Sequence, residues 1–110
     1  MRVKWSARAA AEFVATAAYV THEFGDQAAL KMQGELNEGV SDIERFPMIG
    51  KESFTDEKTG IIFRELVARL NSIVYAIHNE EIYIVSIWSN RRDRNKLFAT
   101  LKNDAKHIKQ

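Results

Sequence analysis

The sequence predicts an α+β fold in the order β-α-α-β-β-β-α, a helical hairpin packed on a small, mainly antiparallel sheet. Three observations carry this reading. Two apolar stripes at three- and four-residue steps lie on either side of Gly25. Three runs rich in Ile, Val, Phe and Tyr follow, joined by connections too short for a parallel crossover. A third helical stripe then closes the chain.

Taken in order, Arg2 to Trp5 alternates polar and apolar residues, as a short strand does. Ser6 is placed to cap a helix, because its hydroxyl accepts from the free amides of the first turn. Phe13, Ala17, Val20 and Phe24 share one face of that helix, and Gly25 ends it. Asp26 is the expected cap of a second helix, with Ala29, Met32, Leu36, Val40 and Ile43 on its apolar side. Pro47 disfavours helical geometry at the residue before it, so this helix ends near Phe46. The polar stretch from Pro47 to Gly60 reads as a loop. Strands are expected at Ile61–Arg69, Ile73–His78 and Ile82–Trp88, separated by Asn71-Ser72 and Asn79-Glu80. Leu97, Leu101, Ala105 and Ile108 mark the last helix, from Asp93 onward.

With 110 residues, 45% of them hydrophobic and 28% charged, the chain has the make-up of one folded domain over residues 1–110. It contains no cysteine, which excludes disulfides and thiolate metal sites and fits a reducing cytoplasm. No run reaches the length needed to cross a bilayer, and the N-terminus has no secretion-signal pattern. No nucleophile elbow, phosphate-cradling glycine loop or His-Glu-x-x-His pattern occurs. His22, His78 and His107 fall on different elements, so neither a metal nor another cofactor is expected.

The net charge of +1 conceals an asymmetry. Residues 91–110 hold seven basic and two acidic side chains, against a net acidic remainder. Within this segment, Arg91, Arg92, Arg94 and Lys96 follow directly on the last strand. A basic end on a near-neutral chain points to a local anionic partner. Arg64 lies inside an apolar strand, on the same face as Ile62 and Leu66. An arginine there needs a carboxylate, a phosphate or open solvent, and Glu44 or Glu81 could serve as an internal partner. If the runs pair as a meander, Arg64 comes within reach of Arg91 and Arg92. Three converging guanidiniums would suit a phosphate, with Tyr75, Tyr83 and Trp88 as stacking surfaces for a base.

The Ser-capped helix, the second helix closing on Phe46-Pro47-x-Ile49-Gly50, and the runs Phe63-Arg64-Glu65-Leu66 and Ile73-Val74-Tyr75 together resemble the RelE/ParE toxin superfamily. The double arginine Arg91-Arg92 is placed as in that group. The resemblance implies the toxin of a type II toxin–antitoxin module, a plasmid stabilisation protein, bound and blocked by a cognate antitoxin. In the RelE-like branch the toxin cleaves messenger RNA on the ribosome. That branch implies Arg64, Arg92 and Arg91 as catalytic residues, holding the scissile phosphate and its developing charge. Lys51, Lys58, Arg94, Lys96 and Phe98 would then face the RNA. Phe98 stands where that branch often has a tyrosine, and phenylalanine cannot give or take a proton. In the ParE-like branch the toxin inhibits DNA gyrase without catalysis.

Three readings therefore remain open: ribosome-dependent mRNA cleavage first, gyrase inhibition second, and a non-toxic binding or co-repressor domain third. An acidic amphipathic antitoxin segment would suit an uncovered sheet face beside the basic C-terminal segment.

Overall fold

The computed structural model describes residues 1–110. Its elements are β1 (Arg2–Trp5), α1 (Ala7–Phe24), α2 (Asp26–Arg45), β2 (Lys51–Thr55), β3 (Ile62–Ala68), β4 (Asn71–His78), β5 (Glu81–Ser89) and α3 (Arg94–Lys109). The five strands form one sheet in the order β1-β5-β4-β3-β2, antiparallel except for the β1–β5 pair.

The α+β class, the helical hairpin and the three long strands agree with the sequence reading. One strand was missed: Lys51–Thr55 lies in the stretch read as a loop, and it pairs antiparallel with β3. Its residues, Lys-Glu-Ser-Phe-Thr, carry little β-propensity, and the edge position makes their pairing a tertiary effect. Asn71-Ser72, read as a turn, opens β4 instead, and the turn falls at Arg69-Leu70. Asp26 is the first helical residue of α2 rather than its cap. Gly25, at φ 90°, stands between the helices and supplies the left-handed backbone that the reversal needs. Ser6 caps α1 as expected, its hydroxyl accepting from the Ala9 amide at 3.0 Å.

Alternation along the strands gives the sheet two covered faces. On one face Ile73, Tyr75, Ile82, Ile84 and Ile87 pack against Ala9 of α1 and Leu36 and Ile43 of α2. On the other, Phe63, Val74, Ala76, Val85 and Trp88 pack against Leu97, Leu101, Ala105 and Ile108 of α3. The second face is thus closed by the last helix, and no open sheet face is left for a partner.

β1 ends at Trp5, opposite Ile84, whereas β5 continues to Ser89 and presents a bare edge. Residues of the first turns of α1 cover it. The Ser6 amide donates to the Ile84 carbonyl at 2.9 Å, and Arg8 donates to the Val85 carbonyl at 2.8 Å. Glu12 accepts from the Ile87 amide at 3.1 Å and from the Ser86 hydroxyl at 2.8 Å. Arg8 also reaches Asp104 of α3 at 2.7 Å, so one guanidinium ties both layers to the sheet edge. Burial pushes the Asp104 carboxyl above its ordinary range, and the Arg8 charge pulls the other way.

The exit of α2 is fastened from below by Tyr75. Its hydroxyl accepts from the Gly50 amide at 2.8 Å and donates to the Pro47 carbonyl at 2.6 Å. Burial pushes this hydroxyl above its ordinary value, which keeps it protonated and able to donate. A Cβ at Gly50 would stand 2.6 Å from the Tyr75 ring and hydroxyl, so only glycine allows this approach. Gly50→Ala should destabilise the chain by about 1–3 kcal/mol, read as a lower denaturant midpoint. At the β4–β5 turn, Asn79 and Glu80 both have positive φ, as a two-residue hairpin turn requires. Glu80→Gly should raise stability by up to about 1 kcal/mol in the same measurement.

Candidate functional site

The arginine run occupies the turn between β5 and α3. After Ser89, the Asn90 amide donates to the Leu70 carbonyl at 2.8 Å, and the Arg92 amide to the Ser89 carbonyl at 3.0 Å. Asp93 then caps α3 by accepting from the Asn95 amide at 2.9 Å. This fixed turn sends the four cationic side chains in different directions.

Arg92 lays its guanidinium over the Trp88 ring, 4.0 Å from the centroid, and stands 4.0 Å from the Glu12 carboxylate. Arg94 is paired with Glu65 of β3, whose carboxylate also accepts from the Ser53 hydroxyl. Arg91 and Lys96 are exposed and make no ion pair. Arg64 points to the hairpin face, the face opposite to Glu65. It donates to the Gly50 carbonyl at 2.8 Å and, more weakly, to the Met48 carbonyl at 3.4 Å. Its nearest carboxylate is Glu52 at 4.0 Å. Neither of the expected internal partners serves it, since Glu81 is held by Lys4 and Arg2.

The expected convergence of Arg64 with Arg91 and Arg92 therefore does not occur. Arg64 sits opposite Tyr75 in mid-strand, whereas Arg91 and Arg92 follow Ser89, which pairs with Asn71 opposite Ala68 at the end of the strands. Two strand spacings, about 10 Å, also separate β3 from β5. Lys51 pairs in register with Glu65 and stands beside Arg94. Lys58 lies elsewhere, in the β2–β3 connection beside Lys102 and Lys106 of α3. Phe98 is stacked on Phe54, with centroids 5.2 Å apart and planes at 13°, and packs against the core. Tyr75 and Trp88 are buried, and Tyr83 is half-buried under Lys4. Tyr75 and Trp88 therefore offer no free face to a base.

A different feature was not anticipated. A groove of 360 Å³ runs between α1 and the ends of β4 and β5, lined by Tyr19, Val20, Phe24, Leu70 and Ile87, with Arg91 and Arg92 at its rim. It continues past Leu70 toward Met32, Lys31 and Arg69. Phe24 is 67% exposed and Leu70 61% exposed. The sequence held a signal for it: Tyr19 lies off the α1 stripe, widening the apolar sector beyond what the sheet covers.

Glu65 is 8% exposed and depends on Arg94 for its compensating charge. Arg94→Ala should therefore cost about 1–3 kcal/mol in urea unfolding. Arg91→Ala, which removes no contact of this kind, should stay within about 0.5 kcal/mol of the parent.

Comparison with known proteins bears on this arrangement. One solved structure, described as the chromosomal ParDE TA system from P. aeruginosa, superposes with a TM-score of 0.67 at 23% sequence identity. The match covers 81% of this chain and 95% of that one, and it establishes a shared fold. No curated protein matches the sequence. No helix is long and apolar enough to cross a membrane. The family described as the ParE toxin of the type II toxin–antitoxin system parDE matches residues 3–94, which span β1 through the start of α3. The chain belongs to this family of ParE toxins.

Proposed function

We propose that the chain arrests growth as a non-catalytic inhibitor of DNA gyrase, restrained by a cognate antitoxin. The observation that carries this reading is the dispersal of the arginines. Arg64 is spent on backbone carbonyls, Arg92 on Trp88 and Glu12, and Arg94 on Glu65. A phosphoryl-transfer site needs such charges aimed together at one place where negative charge develops. Membership of the ParE family supports the same conclusion, because that branch is the one the sequence resemblance links to gyrase.

Ribosome-dependent mRNA cleavage, the first expectation from the sequence, has less support. Arg64 and the pair Arg91-Arg92 lie apart along and across the strands, and Phe98 is packed against Phe54 with no proton to offer. A protein target asks less of the chain: an exposed, complementary surface suffices.

The antitoxin is best accommodated by the groove at Tyr19, Phe24 and Leu70. A segment with an apolar face and an acidic flank would bury those side chains and meet Arg91 and Lys31 at the rim. Single basic or acidic rim changes would act mainly on the association rate, whereas loss of Phe24 or Leu70 would act on dissociation.

A supercoiling assay with purified gyrase tests the proposal. Supercoiling should stop at saturating chain and resume when the antitoxin is added. Continued supercoiling at saturation would overturn it, and message cut on translating ribosomes would favour the nuclease reading instead. Expression without antitoxin should arrest growth, which separates both readings from a non-toxic domain.

A further inference from the structure

On the α3 side of the sheet, a polar cleft of 420 Å³ opens between β2, β3, the start of β4 and the first turn of α3. It is lined by Lys51, Ser53, Ser72, Asn90 and Arg94, together with Glu52 and Glu65. We infer that Glu65 is a built-in occupant of an anion site in this cleft, which excludes phosphate groups from Arg94 and so bars nucleic acid.

The geometry of the donors is the first support. The Arg94 guanidinium and the Ser53 hydroxyl both donate to the same oxygen, Oε2 of Glu65. Arg94 also lies 3.3 Å from that hydroxyl. Two donors converging on one oxygen position form the arrangement that a phosphate oxygen would use, and Lys51 lines the same cleft. The protein fills that position with its own carboxylate.

Relative exposure identifies which partner does the excluding. The Glu65 side chain is 8% exposed and the Arg94 side chain 44%. Removing the carboxylate would leave a guanidinium that solution ligands can reach. The carboxylate is carried by a strand paired on both sides, so it faces Arg94 at a high effective concentration. A phosphate from solution must displace it from Arg94.

Stability alone does not call for a carboxylate here. Glu65 shares its face with Phe63, Val74, Ala76 and Val85. A buried ion pair at such a position is seldom more stabilising than apolar packing. Its effect falls on what the cleft will accept.

The test is binding of a labelled single-stranded RNA oligonucleotide, and of inorganic phosphate, at low salt. The parent chain should show no saturable binding of either. Glu65→Gln, which keeps the side-chain shape, should bind both at least about tenfold more tightly, with the gain falling as salt rises. Glu65→Asp should stay close to the parent. The gain should disappear in Glu65→Gln/Arg94→Ala. Parent binding as tight as that of Glu65→Gln would overturn the inference, as would a gain that survives in the double variant. Should Glu65→Gln fail to fold, as shown by thermal melting, side-chain NMR of the parent decides the matter. The Arg94 guanidinium resonances should not move on phosphate addition, and movement would overturn the inference. None of these readouts uses gyrase, so this inference and the gyrase reading can fail separately.

Discussion

Successive side chains of a strand must leave on opposite faces, and in β3 this constraint falls on the pair Arg64-Glu65. Arg64 turns to the hairpin side and holds the exit of α2, while Glu65 turns to the α3 side and holds Arg94. One dipeptide thus couples the sheet to both of its covering layers. The same constraint keeps Arg64 from Arg94, which lies on the α3 side with Glu65.

Around β3, unpaired backbone determines most of the remaining polar contacts. β5 outruns β1 by several residues, and the bare edge is covered by Ser6, Arg8 and Glu12. The loop from Phe46 to Gly50 has no strand partner, and Tyr75 and Arg64 satisfy its carbonyls and an amide instead. Of the polar side chains that look like a reactive set in the sequence, Arg64 is committed to this accounting. Among the arginines the cost of an unpaired buried group falls most on Arg64, whose side chain is 18% exposed.

Apolar side chains are also left uncovered. Tyr19, Phe24 and Leu70 line a groove that the fold does not fill, and rigid layers hold it open. Large exposed apolar side chains gathered in one groove are the mark of a protein-binding surface. This distribution, with Arg64, Arg92 and Arg94 engaged and apolar groups exposed in one groove, favours recognition of proteins over chemistry on phosphates.

The sequence by itself determined the α+β class, the three helices and the three long strands. Apolar periodicity is a local property, strong in the α2 stripe and in the β-branched runs of β3, β4 and β5. It also carried the family resemblance, through the spacing of Phe46-Pro47 and Arg91-Arg92. The tertiary structure alone decided the rest. β2 has little intrinsic preference for a strand and forms because the edge of β3 is available to it. The partners of the arginines were illegible because ion pairs such as Arg94–Glu65 join residues distant in sequence. Which charges meet depends on strand order and facing, and neither is written in the local pattern of the residues.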